Sequence, residues 1–170
     1  MKFIKMIPMF LNSLAPYLFL IITFLYSNGF VGGYAVLAAL IFFLVVSFFG
    51  MAYAFILQRL GYDAEKLLFW NMLIKLLHIP FYLFVFFCTL LLFIMIIPLI
   101  PLVMVFEYIM LLSSTAFGIS AAILLMRHDK RYSAVTIVLT VFQFVFCLDV
   151  IASVVGYIIV RRSNRKKKEA

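Results

Sequence analysis

The chain reads as an all-α integral membrane protein. Four transmembrane helices are expected, followed by a C-terminal segment that is either a re-entrant hairpin or a fifth transmembrane helix. An in-plane amphipathic helix is expected before the third span. Three observations predict this class. Of 170 residues, 68% are hydrophobic and 12% charged, whereas roughly a quarter of residues are charged in soluble domains. The mean hydropathy of +1.26 implies more apolar surface than a water-soluble core absorbs, so lipid is the solvent. The 14 Lys and Arg residues lie between the long apolar runs, in four clusters: Lys2/Lys5, Arg59/Lys66/Lys75, Arg127/Lys130/Arg131 and Arg161 through Lys168.

Basic clusters of this kind mark the cytoplasmic side of a membrane protein. The net charge of +8 is then a topology and lipid-headgroup signal, and no nucleic-acid partner is expected. Residues 1–160 are expected to form one polytopic membrane domain, with 161–170 a basic cytoplasmic tail. The expected location is the cell membrane, multi-pass, with the N-terminus cytoplasmic. The Lys-rich, Ile/Phe/Leu-rich composition suggests a bacterial source. Cys88 and Cys147 each lie in an apolar run without a CxxC, which points to buried thiols and not to a redox relay.

The first span is expected at about 10–26. Lys2 and Lys5 before an apolar stretch imitate a secretory signal, but bulky Leu25 spoils the cleavage position, so an uncleaved span is expected. Pro16 sits near its start, where proline is tolerated. Ser27, Asn28, Gly29, Gly32 and Gly33 make an uncharged turn. The second span is expected at 34–57, long enough to require tilt. Between Gln58 and His78 the apolar run is interrupted by Arg59, Asp63, Glu65, Lys66, Asn71, Lys75 and His78. This predicts an in-plane helix over about 63–78, with Asp63 as its cap, Trp70 as a headgroup-level anchor and Pro80 bending the chain into the bilayer. Residues 81–126 hold no Lys or Arg and suit two spans, 81–98 and 102–126, with Pro98 and Pro101 at the turn.

The last segment, 135–160, poses a parity problem. Five full crossings place the strongest basic cluster opposite the other three, against the positive-inside rule. Asp149 divides the segment into Val135–Phe146 and Val150–Val160, each about 17–18 Å as a helix and near half the hydrocarbon thickness. A re-entrant hairpin with Asp149 at its tip restores an even number of crossings. A plain fifth span with the tail outside remains the alternative.

Intramembrane acids are costly and point to function. Glu107 and Asp149 are expected at similar depth, roughly 22 Å and 21 Å from the inner face. Such a pair could bind a cation, share a proton or meet a cationic substrate, with Gln143, Tyr108, Ser113 and Thr115 adding oxygens. The bland alternative is two acids that are protonated or bonded to nearby backbone. A second constellation, Asn71, Lys75 and His78, shares one helical face and suits a headgroup or anion. Its bland alternative is the polar stripe of an interfacial helix. Ser114, Gly118 and Ala122 recur at four-residue spacing, as in close helix packing.

No catalytic residue, cofactor site or metal site is expected. His78 and His128 lack a zinc spacing, and there is no phosphate loop or nucleophile elbow. Enzymatic activity therefore has no positive support. The best functional guess is a transport-related carrier, or an accessory or substrate-binding subunit. The alternative is a non-catalytic interaction protein, such as a bacteriocin immunity protein or a regulator of another membrane protein. A lipid-modifying enzyme ranks last. Anionic lipid headgroups are the expected partner of the basic tail. The small size suits a homo-oligomer or a membrane-protein partner.

Overall fold

The computed structural model describes residues 4–91, 100–128, 133–144 and 148–169. Among the described residues there are six α-helices and no strand: α1 Ile7–Ser27, α2 Gly33–Arg59, α3 Ala64–Leu91, α4 Ile100–His128, α5 Ser133–Phe142 and α6 Leu148–Glu169. A short 3-10 turn, Ile4–Met6, precedes α1. Four segments are long and apolar enough to cross a membrane: Ile7–Ser27, Gly33–Arg59, Ala64–Cys88 and Val103–Arg127. Large apolar side chains face outward along them, Phe24, Phe48, Phe49, Phe84 and Phe87 among these. An outer surface of this kind is solvated by lipid and not by water, so the chain is built as a membrane protein.

The first two helices end alike. Gly29 and Gly61 have φ of 74° and 79°, a left-handed conformation that glycine adopts without steric cost. Phe30 N–H donates to the Leu25 carbonyl and Gly29 N–H to Tyr26. Tyr62 N–H likewise donates to Leu57, and Gly61 N–H to Gln58. Each pair is a Schellman motif, which satisfies carbonyls left open at the helix end.

Two compact units can be distinguished: Met1–Gly50 with Leu77–Ser113, and Met51–Leu76 with Ser114–Ala170. The first has a core of Phe43, Val46, Phe81 and Met110. Phe106 stacks on Phe43 with centroids 4.1 Å apart and on Phe81 at 5.8 Å. Dispersion across these rings, not exclusion of water, holds apolar helices together in lipid. The Tyr17 hydroxyl donates to the Leu77 carbonyl of α3. Glu107 lies half-buried in this unit, and Asn12 is buried on α1.

The second unit is tied by polar contacts between helices. Ser120 Oγ on α4 donates to the Ala54 carbonyl of α2 over 2.9 Å. α3 and α6 run antiparallel, joined at three levels. Asn164 Nδ2 donates to Glu65 Oε2 over 2.8 Å. A Cβ added at Gly156 would sit 3.8 Å from Leu68 and 3.7 Å from Leu139 of α5. Lys75 Nζ lies 3.6 Å from Asp149 Oδ2. From Lys75 to Glu65 the first helix covers about 15 Å, and from Asp149 to Asn164 the second covers about 22 Å, so α6 is inclined to α3.

The expectation for 63–78 changes. No separate in-plane helix covers 63–78, because α3 runs unbroken from Ala64 through Pro80 to Leu91. Proline removes one backbone bond from a helix, and in a membrane bundle neighbouring groups make up that loss; here Tyr17 reaches the adjacent carbonyl. Trp70, Asn71, Lys75 and His78 are all buried, so these residues do not form the exposed polar stripe of a surface helix. Within 135–160 the described residues form two helices, α5 and α6, with a turn at Gln143 and Phe144 after the first. α6 continues through the basic segment to Glu169; Arg and Lys are good helix formers. Pro98 lies outside the described residues, and Pro101 falls in the first turn of α4.

Candidate functional site: a buried ion pair and its amide neighbours

The polar residues of the second unit gather around α3. Asn71 and Lys75 are one turn apart and share a face. Their side chains are 0% and 1% exposed, and Asp149 of α6 is 3% exposed. Asn71 Nδ2 donates to Gln143 Oε1 over 3.3 Å, and Thr115 Oγ1 donates to the Gln143 carbonyl over 3.3 Å. The turn after α5 is thus held from two sides, by α3 and by α4. Gly118 makes room for it: a Cβ there would lie 2.1 Å from Gln143 Oε1.

Sequence explains each placement locally. Asp149 sits in the first turn of α6, where a carboxylate is favoured by the helix dipole. Lys75 carries its charge on a four-carbon stem, which lets the ammonium reach across from α3. Lys75 lies eleven residues into α3, about 16 Å along the helix from its start. Half of a hydrocarbon core is about 15 Å, so the pair belongs at mid-bilayer depth if α3 begins at the interface.

The pair is close but poorly satisfied. At 3.6 Å it lies beyond the 2.7–2.9 Å of a charge-assisted hydrogen bond. Among the described residues no hydrogen-bond partner reaches Lys75 Nζ, Asp149 Oδ2 or Asn71 Oδ1. Taking two charges out of water costs several kcal/mol each, and attraction offsets this only with good geometry and further hydrogen bonds. A bridge serving stability alone is expected to have them. A cation, an anion and a neutral acceptor with capacity to spare form a centre that can exchange partners.

A small cleft adjoins Gln143. It is lined by Leu68 of α3, Gly118 and Ala122 of α4, Thr136 and Gln143 after it along the chain, and Gly156 of α6. Gln143 therefore lines the cleft and also holds Asn71.

The residues singled out from sequence fall as follows. Asp149, Gln143, Asn71 and Lys75, expected in two separate sites, meet in one. His78 is buried with its ring 6.2 Å from Tyr82, in the first unit. Glu107 and Asp149 belong to different units, and Asp149 has Lys75 as its charged neighbour. Ser114, Gly118 and Ala122 are all buried. The Lys75–Asp149 contact was not anticipated. Its signal was available: an unbroken helix from Ala64 makes Lys75 an intramembrane cation, which calls for an acid at similar depth. Nothing comparable flagged Asn164 and Glu65. Comparisons with protein-family models, curated proteins and solved structures gave no match.

Proposed function

We propose that this chain is a transport-related membrane protein, a small carrier or the substrate-binding subunit of a larger transporter, with the Lys75–Asp149 pair at its working centre. One observation carries this: a buried ion pair whose facing atoms, Lys75 Nζ and Asp149 Oδ2, have no hydrogen-bond partner among the described residues, with Asp149 in the first turn of a helix that follows a non-helical turn. Interrupted helices whose ends face a mid-membrane site recur in transporters, and non-helical backbone at that depth is stable only against protein or a wetted cavity.

The proposal includes a membrane topology. α5 and α6 form a re-entrant hairpin, so the chain makes four crossings. The antiparallel contacts of α6 with α3 support this. Asn164 meets Glu65, which brings Arg161, Arg162 and Arg165 to the end of the unit that holds Arg59 and Lys66, as the positive-inside rule requires. The N-terminus and the basic end of α6 are then both cytoplasmic, and anionic headgroups meet the latter. The modest size suits assembly with a second copy or a partner subunit in the cell membrane.

A carrier wets its central site in at least one state, whereas a sealed structural core never does. Ser153 is fully buried one turn beyond Asp149, on the same face of α6. With Cys88 and Cys147 replaced, Ser153→Cys is expected to react completely, though slowly, with a membrane-impermeant maleimide applied to membranes. Permanent protection of Ser153→Cys in folded protein would overturn the transport assignment and leave a non-catalytic interaction protein as the better account.

A further inference from the structure

The charges at this centre also limit what it can take. Resting on the transport proposal above, we infer that the Lys75–Asp149 centre receives a small zwitterion, a solute with one carboxylate and one ammonium group such as an amino acid with an uncharged side chain.

The inference follows from electroneutrality and unused bonding capacity. Lys75 and Asp149 are both buried and together carry no net charge. A lone metal cation joining them leaves one positive charge in excess, and a lone anion leaves one negative. Uncompensated charge within a bilayer is expensive. A zwitterion adds none, and it exchanges one ion pair for two: its carboxylate accepts from Lys75 Nζ and its ammonium donates to Asp149 Oδ2. These are two of the atoms that lack hydrogen-bond partners among the described residues. The third, Asn71 Oδ1, is a neutral acceptor one turn from Lys75 and suits another ammonium N–H. A donor–acceptor set that is satisfied only with ligand present also discriminates, because a solute missing either charged group leaves a buried partner unpaired.

The nearest cleft lies at Gln143. Its side chain lines the open cleft and holds Asn71 through a 3.3 Å bond. That bond is long and between neutral groups, so it is the weaker element between the cleft and the pair. The hydroxyl-bearing Thr136 and Thr140 line the same cleft, a polar approach in an otherwise apolar surround. The proposed route runs from the cleft, past the Gln143 amide, to a pair that a zwitterion would separate.

The experiment uses full-length protein in proteoliposomes, carrying Ser153→Cys as its thiol. Labelling is followed with an equimolar mixture of glycine, alanine, serine, valine and leucine, and separately with acetate and with methylammonium. The amino-acid mixture is expected to slow labelling by about tenfold when free ligand stands at about ten times its Kd, and the single-charge compounds are not expected to do so at equal concentration. The double variant Lys75→Met with Asp149→Asn leaves no lone charge and is expected to fold, to label at Ser153→Cys, and to lose the protection. Absence of protection by the mixture, equal protection by acetate or methylammonium, or protection that survives in the double variant overturns the inference. Labelling without protection leaves the transport proposal standing, while failure to label at all removes that proposal, so the two failures are distinct.

Discussion

Lys75→Met lowers stability by about 3–5 kcal/mol, because it strands the Asp149 carboxylate inside the protein. Asp149→Asn has a similar effect through the stranded ammonium. The double variant recovers most of the loss, since replacing both members of a buried pair by neutral groups of like size is often close to neutral. The measurement is a double-mutant cycle of unfolding in mild detergent, and the loss in the double variant is expected to fall far below the sum of the two single losses, the non-additivity that marks residues in contact. The 3.6 Å separation at 1% and 4% side-chain exposure is what makes the effect large. Additive losses would mean that the two charges are separately compensated, and the centre described above would not exist as a unit.

Gly118→Ala produces the second large effect. The added Cβ would lie 2.1 Å from Gln143 Oε1 and 2.8 Å from both Cδ and Nε2. All three atoms belong to the amide group, so the whole amide must leave its seat. Its bond to Asn71 is then broken, and the turn that Thr115 holds is loosened. Overpacking of this kind typically costs about 1–3 kcal/mol. Gly156→Ala is the natural control, because its nearest neighbours would be at 3.7 Å and 3.8 Å, ordinary contact distances. Adding Gln143→Ala to Gly118→Ala relieves the clash, so the double variant is expected to lose less than the sum of the singles. Equal cost for Gly118→Ala and Gly156→Ala in the same unfolding assay contradicts the placement of Gln143.

Hydropathy and charge spacing were sufficient to find four apolar helices, since a lipid-crossing helix needs only length and apolarity. The α1 and α2 boundaries fell within a few residues of expectation because Gly29 and Gly61 stop helices by a local mechanism. The stretch 63–78 misled for a physical reason. Asn71, Lys75 and His78 look like a water-facing stripe when their partners are unknown, and the same residues suit a buried face once partners exist. Lys75 finds Asp149 at a separation of 74 residues and Asn71 finds Gln143 at 72. No local pattern encodes such distances. Pro80 was read as the bend between a surface helix and a span, although a membrane helix passes through proline when neighbours supply the missing bonds. The regular spacing of Ser114, Gly118 and Ala122 was legible as a small-residue groove. That Gly118 in particular receives an amide depends on where the turn after α5 folds, which spacing along α4 does not reveal.

The contact of Asn164 with Glu65 links the site to the membrane topology, and it is open to a direct test. Arg165 and Lys66 are both exposed, so a cysteine at either position is accessible to reagent without disturbing the core. In intact cells, in a background lacking Cys88 and Cys147, Arg165→Cys and Lys66→Cys are each made the sole thiol and exposed to a membrane-impermeant maleimide before and after permeabilisation. A re-entrant hairpin with the buried pair at its tip predicts that both label only after permeabilisation, which places the basic end of α6 and the start of α3 on the cytoplasmic side. Labelling of Arg165→Cys from outside while Lys66→Cys stays protected would show that the last segment crosses the bilayer, contradicting both the hairpin and the mid-membrane centre built on it.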